Sequence, residues 1–393
     1  MTGAPPDGGL PGAAGAPEGP PLRTVVCGTV FGRFYLDALR PAPPGFVLAG
    51  VLAGGGARSR ATAARYGVPY YTAVDQLPDD VDAACVVVRA GVAGGGGTEL
   101  AKALLARGVH VLQEQPAHPE EVADCLRLAR AHGVQYRVNS FYPHLAPVRR
   151  FLARARALRA LRPLRHAEAA CSSQVLFPLL DLLGRALGGL GPWAFADPAP
   201  VADVRAATGA AVPFRVLHGA IAGVPLTLRV QNQIDPADPD NHAHLLHRVT
   251  LGTDAGALTL ADTHGPVLWS PRLHVDRDAD GLLALDGPHT GRLDQPSTSV
   301  LDAGAPLSFR QTFGTLWPDG VRHALAELRR AVGDPGGRAS AAQNALTVSR
   351  MWLDLTTRLG RPELMVAAAS PPLRLSDLAA EDAPSLPGSE VPR

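Results

Sequence analysis

Lysine is all but missing from this 393-residue chain: Lys102 stands alone, and arginine carries the rest of the basic charge. Acids and bases balance to a formal net charge of +1, which gives no electrostatic case for nucleic acid or an anionic membrane surface. Cysteine is scarce too. Cys27, Cys85, Cys125 and Cys171 show no C-x-x-C and no repeated spacing. Cys27 and Cys85 fall in apolar runs, where buried reduced thiols are expected and a disulfide or cysteine metal site is not. No stretch approaches the roughly 20 apolar residues of a membrane span. The opening MTGAPPDGGLPGAAGAPEGPPLR has no basic start followed by an apolar core, so it does not read as a signal peptide. A soluble cytoplasmic protein is the expectation.

What is present is a 46% apolar share, enough for packed cores, and a length that favours two domains. Residues 1–22 are rich in Pro, Gly and Ala, the tail from 370 to 393 clusters Pro, Ser, Asp and Glu, and disorder is expected in both. Between them, apolar runs at 24–27, 46–52, 83–88, 109–112 and 136–138 alternate with helical patterns at 31–39, 58–66, 98–107 and 119–132. The last helix begins Pro119-Glu120-Glu121 and stops before Gly133, good chemistry at both ends. Such alternation with short loops predicts right-handed crossovers and a doubly wound parallel sheet, a Rossmann domain at 23–143.

Beyond that the pattern changes. Helices at 145–158 and 175–187 flank a strand at 165–172. Strand-like segments follow at 214–217, 226–233, 247–251, 257–260, 267–269 and 273–275, and helices at 321–331 and 341–359 close the chain. The class is α/β overall, with a C-terminal α+β domain at 144–369 built on an open, mostly antiparallel sheet. Helices would shield one face and leave the other for a substrate or a second subunit, which predicts a homodimer.

The stretch VVCGTVFGRFY enters a glycine from an apolar run and leaves as a helix. A G-x-G-x-x-G fingerprint would put glycines where Val30 and Arg33 stand. A loop one residue shorter, Gly28-Thr29-Val30-Phe31-Gly32, lets Gly28 make the tight turn and Gly32 pack closely, with a pyrophosphate on the helix N-terminus. By itself the loop fits a nucleotide site or an ordinary turn.

The second strand adds information. A site for NAD places an Asp or Glu about 20 residues on, to hold the ribose hydroxyls, yet no acid occurs between Asp37 and Asp75. The strand runs instead into Gly54-Gly55-Gly56-Ala57-Arg58-Ser59-Arg60. A turn at Gly56 followed by Arg58, Ser59 and Arg60 suits a 2′-phosphate, with Arg58 able to pair bidentately. NADPH is therefore expected rather than NADH. Arg89 leads a glycine run, Gly94 to Gly97, which fits close approach to a ligand or a tolerated linker.

The following strand ends in Gln113-Glu114-Gln115-Pro116-Ala117-His118. A strand ending in Glu-Lys-Pro marks the glucose-fructose oxidoreductase/inositol dehydrogenase family, and this one resembles it with Gln115 in place of the lysine. Lys102 sits within a helix, so no lysine is supplied from nearby, and that family's lysine-assisted alcohol oxidation is not expected. A narrower resemblance covers more of the chain. GTVFGRFYLDAL, LAGGGARSR, VVRAGVAGGGGTELA, ARGVHVLQEQPAHPE, NSFYPH, DPADPDNHAHLLHR and HGPVLWS together look like the thiazolinyl imine reductases of pyochelin- and yersiniabactin-type siderophore pathways. They run in order from Val25 to past Trp269. The resemblance implies NADPH-dependent reduction of a thiazoline C=N to a thiazolidine. It also implies a substrate tethered by phosphopantetheine to a nonribosomal peptide synthetase carrier domain.

Hydride delivery to the imine carbon leaves nitrogen needing a proton from a donor within hydrogen-bond reach. Tyr142, in Asn139-Ser140-Phe141-Tyr142-Pro143-His144, is the first candidate, and the resemblance points to the same tyrosine. His118 is the second. Gln115 can orient substrate but cannot act as an acid near neutral pH. Glu114 can hold the cofactor ribose or amide. Gln174 and Phe177 begin a helix expected to wall the nicotinamide pocket, although packing explains Phe177 equally well. His242, His244 and His247, with Asp235, Asp238 and Asp240 near, form the densest histidine cluster. A substrate or interface role is expected there, with His242 the candidate, and no metal. Two rivals stay open: a sugar or cyclitol dehydrogenase of the broader family, and a non-catalytic NADPH sensor.

Overall fold

The first strand, β1 (Leu22–Cys27), ends in Val25, Val26 and Cys27, all fully buried. A strand apolar on both faces belongs at the centre of a parallel sheet covered on both sides, and it lies there in the computed structural model. That structure describes residues 19–238, 241–287, 290–301, 306–366 and 373–378. The disorder expected for 1–22 therefore falls mostly outside the described residues, as it does for 370–393, and so does Asp240.

Around β1 are α1 (Gly32–Ala38), β2 (Phe46–Leu52), α2 (Ala57–Tyr66), β3 (Tyr70–Tyr71) and β4 (Ala83–Val86). Then come α3 (Gly97–Ala106), β5 (His110–Glu114), α4 (Pro119–Ala131) and β6 (Tyr136–Asn139). The six strands are parallel, in the order β3-β2-β1-β4-β5-β6. That is the doubly wound dinucleotide-binding order, whose ligand crevice lies at the carboxyl ends of the strands where the order reverses, between β1 and β4. The expected alternation is observed. The two-residue β3 went unread because Tyr70 and Tyr71 make no apolar run.

After β6 the chain forms α5 (Ala146–Leu161), β7 (His166–Ser172), α6 (Leu176–Leu187), β8 (Trp193–Phe195), α7 (Ala202–Thr208), β9 (Phe214–Ile221) and β10 (Val224–Gln231). The short β11 (Gln233–Ile234), β12 (His247–Gly252), β13 (Gly256–Leu260), β14 (Val267–Pro271) and β15 (Ser299–Leu301) follow. Eight strands make one sheet, β15-β14-β13-β12-β7-β10-β9-β8, in which only β7 and β10 run parallel. Burial alternates along β10, β12 and β13, as expected when one face packs and the other stays open. Helix α6 is buried almost along its whole length, so it forms the core under the sheet.

One expected strand is absent. Residues 273–275 lie in a loop, and Leu273 is 84% exposed. The edge of β14 that such a strand would need is taken by β15.

The chain's last helices return to the first domain. A short α8 (Phe309–Gln311), a π-helical turn at Thr312–Leu316 and α9 (Trp317–Gly333) run on without a break. α9 packs on α1, and Arg322 donates from Nε to Ala38 O at 3.0 Å. Helix α10 (Arg338–Leu359) lies against α4 and β6, and a two-residue β16 (Glu363–Leu364) pairs with β11. One apolar core thus runs from Val26 and Leu36 through Leu180 and Leu228 to Leu355. All four cysteines are buried free thiols within these cores.

Candidate active site

The loop after β1 turns at Gly28, whose φ is +93° and whose added Cβ would lie 2.6 Å from the Val87 carbonyl oxygen. Only glycine fits, because both the conformation and the neighbouring backbone exclude a side chain. A Cβ on Gly32, the first residue of α1, would meet Val26 Cγ1 at 3.4 Å, an ordinary contact distance, so the space beside β1 does not itself demand glycine there. Val30, between them, is 69% exposed. Thr29 is buried, and its hydroxyl lies 2.9 Å from that of Ser59. Phe31 turns inward against Phe141, ring centroids 5.2 Å apart.

The turn after β2 is open: added Cβ atoms on Gly54, Gly55 and Gly56 meet nothing within 4 Å. Gly56 is the N-cap of α2, and the first turn of that helix holds no acid. Arg58 and Arg60 are exposed there, with Arg60 Nη1 donating to Gly55 O at 2.6 Å. Tyr70 shapes the loop by accepting from Gly55 N–H at 2.8 Å and donating to Ala53 O at 3.0 Å. Its role could not be read locally, because it comes from a different strand.

The glycine run after β4 folds on itself. An added Cβ on Gly95 or Gly97 would strike the Arg89 or Val88 carbonyl at 2.2 or 2.1 Å, and Gly97 N–H donates to Arg89 O at 2.8 Å. These two glycines are required by their own loop. The Arg89 side chain is exposed. Glu121 ties this loop to the next, accepting from Gly91 N–H at 2.9 Å and from His118 N–H at 2.8 Å. The His118 ring Nδ1 accepts from Glu120 N–H at 3.4 Å, so His118 is the N-cap of α4 in a capping box with Glu121. The sequence signal was present as His-x-x-Glu, but histidine in place of Ser or Thr hid it.

At the end of β5, Tyr35 from α1 donates to the Glu114 carboxylate, and Asn139 from β6 donates to Tyr35 Oη at 2.5 Å and to Glu114 Oε2 at 3.3 Å. Burial pushes the Glu114 carboxyl up to about 8, against the opposing pull of hydrogen bonds from Tyr35, Asn139 and the Gln115 N–H. Burial likewise raises Tyr35, helped by the nearby Glu114 charge. Next in the chain, Gln115 Oε1 is buried with no hydrogen-bond partner. Buried polar atoms are nearly always paired, so an orphaned acceptor at the mouth of the sheet marks a place for a ligand donor.

At the end of β6, Asn139 Oδ1 accepts from Phe141 N–H at 3.0 Å. Phe141 then adopts φ +58° and ψ −67°, and Tyr142 N–H donates back to Ser140 O at 2.7 Å. This is a γ-turn of the rare positive-φ kind. Such strain costs about 1–3 kcal/mol and survives only where surroundings enforce it. Phe141 is held among Phe31, Trp317 and Tyr142. The turn places Tyr142, 8% exposed, edge-on to His247 with centroids 4.9 Å apart.

His247 is not a proton donor to spare. Its Nε2 donates to Val175 O at 2.9 Å, its Nδ1 lies 3.0 Å from Thr263 Oγ1, and burial pulls it down to about 4. His242 is buried too, with Nε2 3.0 Å from Gln233 O. The expected histidine cluster therefore does not converge. Phe177 is 1% exposed and packs on Trp352, while Gln174 sits half-buried in the turn before α6.

Among the described residues, one group of three has converging metal-type ligand atoms: His144, His323 and Glu327, all within 4.8 Å. His144 Nδ1 faces His323 Nδ1 at 3.1 Å. The Glu327 carboxylate is already flanked by Arg185 at 3.6 Å and Arg137 at 3.9 Å, and two guanidiniums so close repel a further cation. The group reads as an ionic and hydrogen-bonded clasp between β6, α6 and α9.

The carboxyl ends of the parallel strands carry the glycine loops after β1, β2 and β4, the buried Glu114 carboxyl, the unpartnered Gln115 acceptor and the turn that holds Tyr142. That is the site of an NAD(P)-dependent oxidoreductase. The comparisons with known proteins agree. Residues 22–140 match the oxidoreductase family with an NAD-binding Rossmann fold, and residues 162–270 match the C-terminal domain described as thiazolinyl imine reductase Irp3-like. The chain belongs to this family of two-domain oxidoreductases, the one its motifs resemble.

Solved structures share the fold at low identity. GenD2 from gentamicin A biosynthesis, in complex with NAD, is 16% identical with a TM-score of 0.60 over 88% of this chain and 95% of its own. The UDP-N-acetylglucosamine 3-dehydrogenase GnnA from Acidithiobacillus ferrooxidans is 15% identical, TM-score 0.59, over 86% and 97%. KijD10, a 3-ketoreductase from Actinomadura kijaniata in complex with TDP-benzene and NADP, is 15% identical, TM-score 0.61, over 88% and 100%. No curated protein sequence matches the chain at a significant level. Among the described residues, no helix is long and apolar enough to cross a membrane.

Proposed function

We propose that this protein reduces the C=N bond of a thiazoline ring to a thiazolidine, using NADPH, on an intermediate carried by a nonribosomal peptide synthetase in siderophore assembly. The observation that carries the reading is the thiazolinyl imine reductase match over residues 162–270. It stands beside a β5 end in which Glu114-Gln115-Pro116 has no lysine.

The nicotinamide cofactor supplies the hydride when bound. Gly28, Thr29 and Val30 with the start of α1 hold its pyrophosphate, and Arg58, Ser59 and Arg60 hold the 2′-phosphate. Tyr142 delivers the proton to the imine nitrogen, a step that neutral phenol chemistry allows and glutamine chemistry does not. Gln115 presents its unpartnered Oε1 to a donor on the bound molecules. Glu114, protonated near neutrality, fixes the β5–β6 mouth through Tyr35 and Asn139.

The partner is a carrier domain. Between Ala146 and His166 the chain has seven arginines and no acid, and Arg150 and Arg156 are exposed on α5. An acidic carrier domain matches such a face, and α5 begins four residues after Tyr142. Two copies pair through the open sheet face.

The test is NADPH oxidation by the purified protein with a synthetic thiazoline-4-carboxylate thioester. Turnover to the thiazolidine supports the reading. Cofactor reduction by polyols without imine turnover replaces it with a sugar dehydrogenase, and NADPH binding without either reaction replaces it with a sensor.

A further inference from the structure

Glu114 is the last residue of β5 and is half-buried, whereas Leu112 and Gln113 before it are buried. Three donors converge on its carboxyl: the Tyr35 hydroxyl from α1, the Asn139 side-chain amide from β6 and the Gln115 N–H. Asn139 Nδ2 also donates to Tyr35 Oη at 2.5 Å, which leaves the phenol's own proton for Glu114. Donors pointed at a carboxyl favour its ionised form. What this cradle lacks is a cation. Among the described residues no Arg, Lys or His contributes to the shift of Glu114. The ionisable groups that act with it are Tyr35 from α1 and Cys85 from β4, with Cys27 from β1 acting on Cys85, and burial keeps all three neutral. Burial therefore wins at Glu114 too, and the carboxyl keeps its proton up to about 8.

The fold indicates which cation is missing. In a doubly wound sheet each half takes one mononucleotide, and the dinucleotide crosses between them at the carboxyl ends of the strands. Arg58 and Ser59 follow β2, so on the reading above the half formed by β1 to β3 takes the adenosine end. The other half, β4 to β6, is left for the nicotinamide, and Glu114 ends its middle strand. A nicotinamide ring is neutral when reduced and positively charged when oxidised.

We propose that Glu114 is a switchable counter-charge for the oxidised nicotinamide ring: neutral in the free protein and beside the reduced ring, it loses its proton to water when the oxidised ring lies in the crevice. This rests on a nicotinamide cofactor and not on the identity of the substrate. The charges balance, since the oxidised ring brings one positive charge and Glu114 answers with one negative charge. Tyr35, Asn139 and the Gln115 N–H already stand ready to accept the ionised form, so no rearrangement is needed. A carboxyl that ionises only with its partner present also spares the free protein an unpaired buried charge. The oxidised ring binds the ionised carboxyl, so its affinity is full above the free protein's titration near 8 and declines as pH drops below it.

The experiment titrates full-length wild type and Glu114→Gln with NADP⁺ and with NADPH from about pH 6 to pH 9, by calorimetry in two buffers of different ionisation heat. NAD⁺ and NADH replace them if they bind tighter. In wild type the affinity ratio of oxidised to reduced cofactor should rise about tenfold across that range, as for lowering one carboxyl by about one pKa unit. Near pH 7.5 the oxidised form should release about half a proton more on binding than the reduced form. The ratio cancels the phosphates, which both forms share. In Glu114→Gln the ratio should be flat and the extra release gone. A flat ratio in wild type, or a rise that persists in Glu114→Gln, overturns the proposal. If Glu114→Gln does not fold, Tyr35→Phe decides. Loss of a donor to the carboxylate should move the rise to higher pH, and an unmoved rise overturns the proposal. Failure to bind either pair overturns it as well. Imine turnover is scored separately: a protein with the pH-linked ratio but no thiazoline reduction keeps this inference and loses the function proposed above.

Discussion

The hydroxyls of Thr29 and Ser59 meet at 2.9 Å across a sequence separation of 30 residues. This contact joins the loop after β1 to the first turn of α2, and so brings the two halves of the nucleotide side together. Arg58, exposed beside Ser59, is the residue proposed to hold a 2′-phosphate. Arg58→Ala should raise the KM for NADPH by about 10- to 100-fold, the scale of a charge-assisted hydrogen bond, and the KM for NADH far less. Steady-state kinetics with both cofactors decide this. Equal effects on both would remove the case for the phosphate.

Tyr142 reaches its position through the strained turn at Phe141. Tyr142→Phe should lower kcat by about 10²- to 10⁴-fold, as for loss of a positioned acid, with cofactor affinity retained. Single-turnover NADPH oxidation measures it, and a rate equal to wild type would assign the proton to another donor.

Glu114 holds a proton in the folded protein that the unfolded chain releases. Its folded pKa is raised from the ordinary 4.5 to about 8. The associated stability is therefore complete below pH 4.5 and is lost as pH rises through 8. Glu114→Gln should abolish that slope. The melting temperature of wild type minus that of the variant should decline steadily between pH 4.5 and 8, by about 2–4 °C for each kcal/mol. A constant difference across that range would show Glu114 to be ordinary.

His144 works in the opposite sense. Burial pulls it down from 6.5 to about 4, although the Glu327 and Asp181 carboxylates oppose the shift. Its contribution is present above pH 6.5 and is lost as pH falls toward 4, since the unfolded chain takes up the proton first. Replacing it, as His144→Asn, should make the melting temperature less sensitive to acid over that window, again by about 2–4 °C per kcal/mol. Thermal melts at pH 7, 5.5 and 4 test this, and parallel curves would refute it.

The arginine face of α5 is the surface proposed for carrier-domain docking. Arg150→Glu with Arg156→Glu should raise the KM for carrier-bound substrate by about tenfold or more, because rim charges set association, and leave the KM of a free thioester unaffected. Equal changes for both substrates would count against carrier docking on α5.

Much of this was legible along the chain. Strand–helix alternation gave away the Rossmann order because both periodicities are local. The need for glycine at Gly28 was visible in the strand-to-helix turn. Glu114 and Gln115 stood out because they end a strand, and strand ends line the crevice. The strand expected at 273–275 failed for a non-local reason: its place at the sheet edge belongs to β15, from about 25 residues later in the sequence. His118 reads as a candidate acid, and what the sequence did not show is that its Nδ1 also caps α4. His242 and His247 looked like a cluster until each was seen to bond a different carbonyl.

The sequence by itself determined the two-domain class, the nucleotide loops and the missing lysine, since each depends on residues within one strand, turn or helix. Only the tertiary structure decided what meets at the crevice. Tyr35, Glu114 and Asn139 come from α1, β5 and β6, and Trp317 reaches Tyr142 from 175 residues away. No periodicity records such meetings, because they are set by how packed layers close over a shared core.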